Sequence, residues 1–496
     1  MSFKTIVQPE IKIKLFKINS AITYAIPLLV LIIFINYSTE GNFTYSLEDP
    51  YIHLELAKNI FNGHYGINTN EFSSPSSSIL WPFLLSIFTP LGPYFEYIPL
   101  VLNSLITIMS CFIISGIFEN LNKLTNTFVT LSVIISLNIF GLAITGMENS
   151  LQVLLTLIII KNILFNEYKP LLYISLFLLP LIRYEGLSIS IPVLVYLFLK
   201  GNRKQSILTF GSIFLLIGGF SIFLYVHNHN ILPSSVLSKS VQTNYISIFE
   251  NLRINIKQYG FLITISAAVS LFYYRKSLLF GGMILSSTFL FFLFGRIGWF
   301  GRYEVFILLF ILIPALYHLL NNDVKYWPLV FTLPVMFFPL FYCTLHTHQA
   351  SSNIYRQPVQ ISLIANMLNE PIAINDLGNV SFRTNVYVLD LWGLGSIEAL
   401  NYRQSGEAPQ WISYLMNKKN VHFAAVNSGL FPKLPDNWIE VGRLLIHENE
   451  YTLGSKTVHF FATSMPKAKQ FQSVLQKYNH TGIPSRTSLT LTPLPH

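Results

Sequence analysis

Charge is what this 496-residue sequence has least of: 32 Lys and Arg and 23 Asp and Glu make up 11% of the chain, where a soluble globular domain carries about 25%. That scarcity excludes an ordinary cytosolic enzyme. Cysteine is nearly absent too, and Cys111 and Cys343 both fall inside apolar segments, which argues for packing residues rather than a disulfide or a metal pair. Ionisable groups are missing from the centres of the apolar stretches, where proton- or ion-coupled transport would need them. No internal repeat is visible, which disfavours inverted-repeat transporter folds. The net charge of +9 comes from basic residues scattered through short loops, so it forms no stripe for a nucleic acid.

What is present in excess is apolar surface. Hydrophobic residues make up 52% of the chain, with 41 Phe, and the mean hydropathy is +0.50. One globular core cannot hide that much, so part of it must face lipid. Lys4, Lys12, Lys14 and Lys17 precede the apolar run 21–36 like the head of a signal sequence, but no small-residue cleavage site follows. The run is therefore expected to stay as the first membrane helix. Ten further apolar stretches lie near 95–118, 127–144, 151–165, 170–182, 187–200, 206–226, 259–274, 278–295, 303–320 and 326–345, which predicts about eleven spans. Residues 76–91 are apolar but hold Pro82 and Pro90, and whether they cross sets the orientation of everything after them. If they only dip into the outer interface, thirteen basic residues up to 345 fall inside and seven outside, as the positive-inside rule requires. The N-terminus is thus expected inside.

From residue 346 onward the composition turns mixed and turn-rich for some 150 residues, enough for one small domain. Short runs at 371–375, 386–392, 422–427 and 458–463 read as strands and 409–418 as a helix. The stretch from Lys467, rich in Ser, Thr, Pro and Gln, reads as loose at its end. The expected whole is an α-helical polytopic membrane protein: residues 1–345 as a membrane part, with juxtamembrane helices in a first outer loop at 37–94, and 346–496 as a small α/β domain on the outer face.

The polar residues that could do chemistry lie in the outer loops. Glu48-Asp49-Pro50-Tyr51 puts two carboxylates ahead of a helical pattern. A helix N-cap compensating the dipole and a general base at the lipid–water interface account for this pair equally well. Glu148 sits at one turn and Arg183-Tyr184-Glu185-Gly186 at another. A single Arg–Glu pair at a helix end is a common structural fitting. Loop 227–258 adds His227, His229, Ser238 and Lys239, and loop 295–304 adds Arg296, Arg302 and Glu304. His227 and His229 do not share a helical face, so a metal site there is disfavoured. One face therefore gathers carboxylates and cations against lipid, which suits transfer from a lipid-linked phosphate: a carboxylate takes the acceptor proton, and Arg or Lys holds the leaving phosphate.

These residues resemble the glycosyltransferase C superfamily of multi-spanning enzymes that use polyprenyl-phosphate sugars, and within it the arabinofuranosyltransferase-like branch. Glu48-Asp49-Pro50-Tyr51-Ile52 with Ala57-Lys58-Asn59 and Gly63-His64 is similar to the family's acidic opening loop. Asn68, Glu71, Ser74-Pro75 and Leu80-Trp81 resemble its next signature. Thr145-Gly146-Met147-Glu148, Arg183-Tyr184-Glu185-Gly186, Leu232-Pro233 with Lys239-Ser240, and Gly301-Arg302-Tyr303 resemble its later turns. Asn375-Asp376-Leu377-Gly378 with Leu389-Asp390-Leu391-Trp392-Gly393-Leu394 resembles the start of its outer domain. Seven weak motifs in the family's order make a specific likeness over most of the chain.

The resemblance implies an inverting transfer of a sugar from a polyprenyl-phosphate donor to a cell-envelope glycan or lipid-glycan acceptor, on the outer face of a bacterial inner membrane. Glu48 or Asp49 would be the base, Glu148 and Glu185 second acids, and Arg183, Lys239 and Arg302 the phosphate-holding cations. Tyr51, Trp81 and Trp299 could stack on sugars or anchor the interface, and His53 is a further candidate. Some members bind a divalent cation such as Mg or Mn beside the acidic loop. Asp49 and Glu148 would hold it here, and the sequence leaves the point open. The chain departs from the pattern in three places. Glu48 stands where Asp is usual, Tyr184 replaces a proline, and Ser76-Ser77-Ser78 lengthens the serine-proline signature.

Overall fold

The computed structural model describes residues 9–238, 245–274, 277–406, 409–427, 429–431 and 433–495. Every apolar stretch read from the sequence lies on helix, because in lipid a backbone must satisfy its own hydrogen bonds. Three helices are long and apolar enough to cross a membrane, within Ala21–Ser38, Thr89–Ile117 and Arg203–Val226. Five shorter apolar helices, Asn149–Leu164, Pro170–Ile182, Tyr184–Leu199, Leu278–Phe294 and Val305–Asn321, pack beside them. Helix length alone therefore does not establish eleven crossings.

Two stretches read as single spans are broken. Residues 123–144 divide into helices Lys123–Ser136 and Ile139–Ile144 at Asn138, which adopts a left-handed φ of 57°. Its amide donates to the Phe300 carbonyl at 2.9 Å. Residues 324–368 bend by 68° between Val324–Met336 and Phe338–Leu368. The segment 76–91 holds the six-residue helix Trp81–Ser86, about 9 Å long at 1.5 Å per residue and too short to cross, and the start of the 3-10 helix Thr89–Tyr97.

The C-terminal part is a six-stranded sheet in the order β2-β1-β3-β5-β4-β6: β1 Ile372–Ile374, β2 Val388–Asp390, β3 Phe423–Val426, β4 Ile439–Ile446, β5 Thr457–Ala462 and β6 Thr487–Leu491. β1 pairs in parallel with β2 and β3, and the other pairs are antiparallel. Ile372, Phe423 and Phe460 pack one face against helices Pro358–Leu368 and Met465–His480, while Ala373, Leu389 and Ala424 meet helix Gln410–Lys418 on the other. One expectation is corrected here. The tail from Lys467 is ordered as a helix and an edge strand, since Phe471, Leu475 and Tyr478 recur at helical spacing and are buried. β4, which the sequence analysis did not mark, carries a bulge at Glu440/Gly442 that interrupts its period.

The loop 37–94 is built into this sheet. Ile52 and Leu56 of helix Asp49–Phe61 share its core. Asn68 lies along the otherwise free edge of β2, its amide donating to the Val388 carbonyl and accepting the Val388 N–H, both at 3.0 Å. A carboxamide there replaces a neighbouring strand and closes the edge. Glu71 accepts from Tyr387 at 3.0 Å and pairs with Lys419. Asn68 and Glu71, two residues that carry the family resemblance, thus hold the outer sheet to the loop.

Candidate functional site

Helix Asp49–Phe61 starts where Pro50 fits the first turn and Asp49 faces the positive end of the dipole. Glu48 occupies the N-cap but makes no side-chain capping bond. Both acids reach out of the helix instead, in different directions, so the pair is more than a cap.

Asp49 forms a 2.8 Å ion pair with Arg302 Nη2. The Arg302 side chain is fully buried and Asp49 is 19% exposed. The same nitrogen donates to the Tyr303 hydroxyl at 2.9 Å. Arg302 Nε and Nη1 find no hydrogen-bond partner among the described residues, an expensive arrangement for a buried cation. Arg183 and Arg302 lie 4.8 and 4.9 Å from the centroid of the Tyr303 ring. Arg183 is tied to Glu148 at 2.8 Å and Glu185 at 3.0 Å. The second Glu148 oxygen is buried, 3.7 Å from His53 Nε2, and His53 Nδ1 lies 3.3 Å from the Ser76 hydroxyl. Four separate loops thus converge on two arginines.

Arg302 is presented by an unusual turn. Gly298, Trp299, Phe300 and Gly301 all have left-handed φ, from 48° to 95°, which costs about 1–2 kcal/mol for each of the two aromatic residues. Glu304 clamps the turn, accepting from Gly298 N–H at 3.1 Å and from the Tyr259 hydroxyl at 3.1 Å. Burial pushes the Glu304 carboxyl up to about 7 against those bonds.

Glu48 points to the C-terminal sheet. Its two oxygens accept from the backbone N–H and side-chain amide of Asn379 at 2.6 and 2.5 Å. Arg383 Nε donates to the Asn379 oxygen at 2.9 Å, which fixes the amide with its nitrogen toward Glu48. Arg383 also pairs with Glu96 and lies 5.3 Å over the Tyr51 ring. Burial pushes the Glu48 carboxyl up to about 8, reinforced by the nearby Asp376 and Asp49 and opposed by the Asn379 donors. Asp376 is itself raised to about 6, by burial and by Asp390 and Asp49.

Two glycines make these approaches possible. A Cβ on Gly146 would lie 2.7 Å from the Tyr45 ring and 2.8 Å from Pro50, and φ there is +69°. One on Gly378 would lie 2.3 Å from the Glu48 carbonyl oxygen.

The structure thus brings together Asp49, Glu148, Glu185, Arg183 and Arg302, with His53 beside Glu148, while the Glu48 side chain meets Asn379 instead. Lys239 lies outside the described residues. Tyr51 and Trp81 are corrected as sugar-stacking or interface-anchoring aromatics: both are fully buried in one cluster with Tyr45 and Leu54, so their faces are covered by protein. Trp299 is 55% exposed. His229 is buried, hydrogen-bonded to the Phe72 carbonyl at 3.2 Å, with Ser74 3.5 Å away. Among the described residues no group of three or more His, Cys, Asp or Glu could hold a metal ion. Asp49 and Glu148, the two acids named for a divalent cation, each face an arginine at 2.8 Å. The sequence reading missed Asn379, Arg383 and Tyr303 as site residues. It quoted Asp376 only as part of a motif, although an acid directly after a short apolar strand was a visible signal.

A family described as a domain of unknown function, DUF8728, matches residues 352–461. No curated protein matches the chain. Among solved structures, the Archaeoglobus fulgidus oligosaccharyltransferase complexed with Zn and sulfate aligns over 94% of this chain and 75% of its own, with 10% identity and a TM-score of 0.47. The apo form of the same protein gives 90% and 74%, 11% identity and 0.46. The A. fulgidus oligosaccharyltransferase AglB in complex with an inhibitory peptide and a dolichol-phosphate gives 97% and 76%, 10% identity and 0.48.

Proposed function

We propose that this protein is a membrane glycosyltransferase of the glycosyltransferase C type. It transfers a sugar, with inversion, from a polyprenyl-phosphate donor to a hydroxyl of a cell-envelope glycan or lipid-glycan. The observation that carries this reading is Arg302, a buried guanidinium with two nitrogens, Nε and Nη1, unused by protein and an acid partner in the first outer loop. An oxyanion that accepts from those N–H groups matches the geometry, and Arg183, 4.8 Å from the centroid of the Tyr303 ring that Arg302 also approaches, can share its charge.

Glu48 is assigned as the base and Asp49 as the partner that orients Arg302. A carboxylate in salt bridge with arginine is a weak base, whereas one raised to about 8 is matched to accepting a proton near neutral pH. In the single step the acceptor oxygen bonds to the anomeric carbon and its proton passes to Glu48. The bond from that carbon to the phosphate oxygen breaks, and the phosphate leaves with the electron pair, held by Arg302 and Arg183. No covalent intermediate with the enzyme forms, so the configuration inverts.

In this reading residues 1–345 form the catalytic membrane part of about eleven spans, with the N-terminus inside. Residues 346–496 form the outer-face domain, periplasmic in a bacterial inner membrane. The test is reconstitution in nanodiscs with a panel of polyprenyl-phosphate-linked pentoses and hexoses. The expected result is release of polyprenyl phosphate together with a glycosylated product or free sugar. Transport of the donor across a bilayer without either would identify a flippase instead, and transfer of whole oligosaccharides a polymerase or ligase.

A further inference from the structure

We propose that Asn379, in the C-terminal sheet domain, is a positioning residue for the base, clamping both oxygens of the Glu48 carboxylate in one plane, and that Arg383 fixes the polarity of the clamp. The proposal rests on the reading of Glu48 as the base.

The clamp is built from three observations. Asn379 donates twice, from backbone and side chain, to the two oxygens of one carboxylate. Such a pair of donors holds the plane of the group and leaves each oxygen a lone pair for the acceptor proton. An asparagine amide can turn over, and the reversed amide would set an oxygen against Glu48. Arg383 prevents this by donating to the Asn379 oxygen at 2.9 Å, and it is itself held by Glu96 and the Tyr51 ring. The backbone at 377–379 can approach Glu48 this closely because residue 378 has no side chain. The outer domain is on this account part of the catalytic centre: without it the base would have no fixed orientation.

The clamp also balances the charges around Glu48. Asp49 on its own helix, which carries Arg302, and Asp376 on the outer domain, with Asp390 beyond it, oppose ionisation. Asn379, which carries Arg383, favours it. Removing the clamp should therefore make Glu48 harder to ionise.

The experiment is the pH profile of kcat/KM for the full-length protein in nanodiscs, with whichever polyprenyl-phosphate sugar the wild type turns over. In Asn379→Ala the acid limb is expected to move up by roughly one pH unit, with activity recovering to within a few-fold of wild type on the alkaline side. Arg383→Gln should move it in the same direction by less, and serves where Asn379→Ala does not fold. A merely structural role would lower activity evenly at all pH. That result, or an unmoved limb, overturns the clamp. Glu48→Gln, measured alongside, separates the two readings. If it is inactive while the limb in Asn379→Ala is unmoved, only the clamp is wrong. If it keeps full activity, or if the wild type turns over no donor, the base assignment fails and the clamp with it.

Discussion

Asp49 and Arg302, 253 positions apart in sequence, meet in a 2.8 Å ion pair in which the arginine is fully buried and the acid is partly open. The pair joins the loop 37–94 to the turn before the helix Val305–Asn322. Adjacent acids are thereby given different surroundings: Asp49 faces a cation, while Glu48 faces the amides of Asn379 with other acids nearby.

Asp49→Asn leaves the Arg302 charge buried without its partner, and loss of one member of a buried pair costs about 3–5 kcal/mol. The acid is partly exposed, so the low end applies. The variant should melt earlier in detergent and show a raised KM for the donor. Arg302→Lys should also raise the donor KM, because a point charge cannot reproduce the fork of the guanidinium. Steady-state kinetics with thermal melts check both.

Gly378→Ala places a methyl group 2.3 Å from the Glu48 carbonyl oxygen, and the segment must withdraw. Overpacking of this kind costs about 1–3 kcal/mol, and here it also separates Asn379 from Glu48. Activity should fall by tenfold or more at neutral pH while the helical signal in circular dichroism is retained. Gly146→Ala meets Tyr45 and Pro50 at a left-handed φ and should lower the melting temperature as well.

Stability and activity should respond to pH in opposite senses. The Glu48 carboxyl, raised to about 8 in the folded protein, titrates near 4.3 when unfolded, so the folded state holds the proton more tightly. The resulting stabilisation is complete below the unfolded value and is lost as pH rises through about 8. Asp376, raised to about 6, adds the same sign over a lower window. Melting temperature should therefore decline from pH 5 to 8.5, with a shallower slope in Glu48→Gln. Turnover should climb over the same range, because the base must be ionised.

Turnover should survive chelation. Arginines already face Asp49 and Glu148, so EDTA treatment followed by assay is expected to leave the rate within about twofold. Loss of activity restored by Mg or Mn would assign those acids to a metal.

The sequence was most legible where one period dominates. The apolar stretches became helices, and β1, β2 and β3 lie within runs read as strands while β5 overlaps one. Breaks were not legible, since Asn138 divides a helix by making a bond to Phe300, 162 positions away, and no local pattern encodes such a partner. The polar helix Met465–His480 was hidden by its composition, with Ala468, Phe471, Leu475 and Tyr478 marking its buried face. At the site, the residues assigned a chemical role in the proposal were visible as charges in loops. Those whose role is to hold others, Asn379 and Arg383, looked like ordinary surface residues because their meaning depends on Glu48, some 330 positions earlier. The motif residues Asn68 and Glu71 turned out to dock the sheet domain, a use that their position in a loop signature did not reveal.

The central claim is that Glu48 is the base of a transfer from a lipid-linked phosphate. The most direct measurement is single-turnover transfer of radiolabelled sugar from a polyprenyl-phosphate donor by wild type, Glu48→Gln and Asp49→Asn in nanodiscs, with donor binding measured in parallel. The account predicts that Glu48→Gln binds donor as wild type does but transfers about 100-fold more slowly or worse, while Asp49→Asn binds donor more weakly and keeps most of its rate at saturation. Equal rates in wild type and Glu48→Gln, or movement of the donor across the bilayer by all three without release of polyprenyl phosphate, would contradict it.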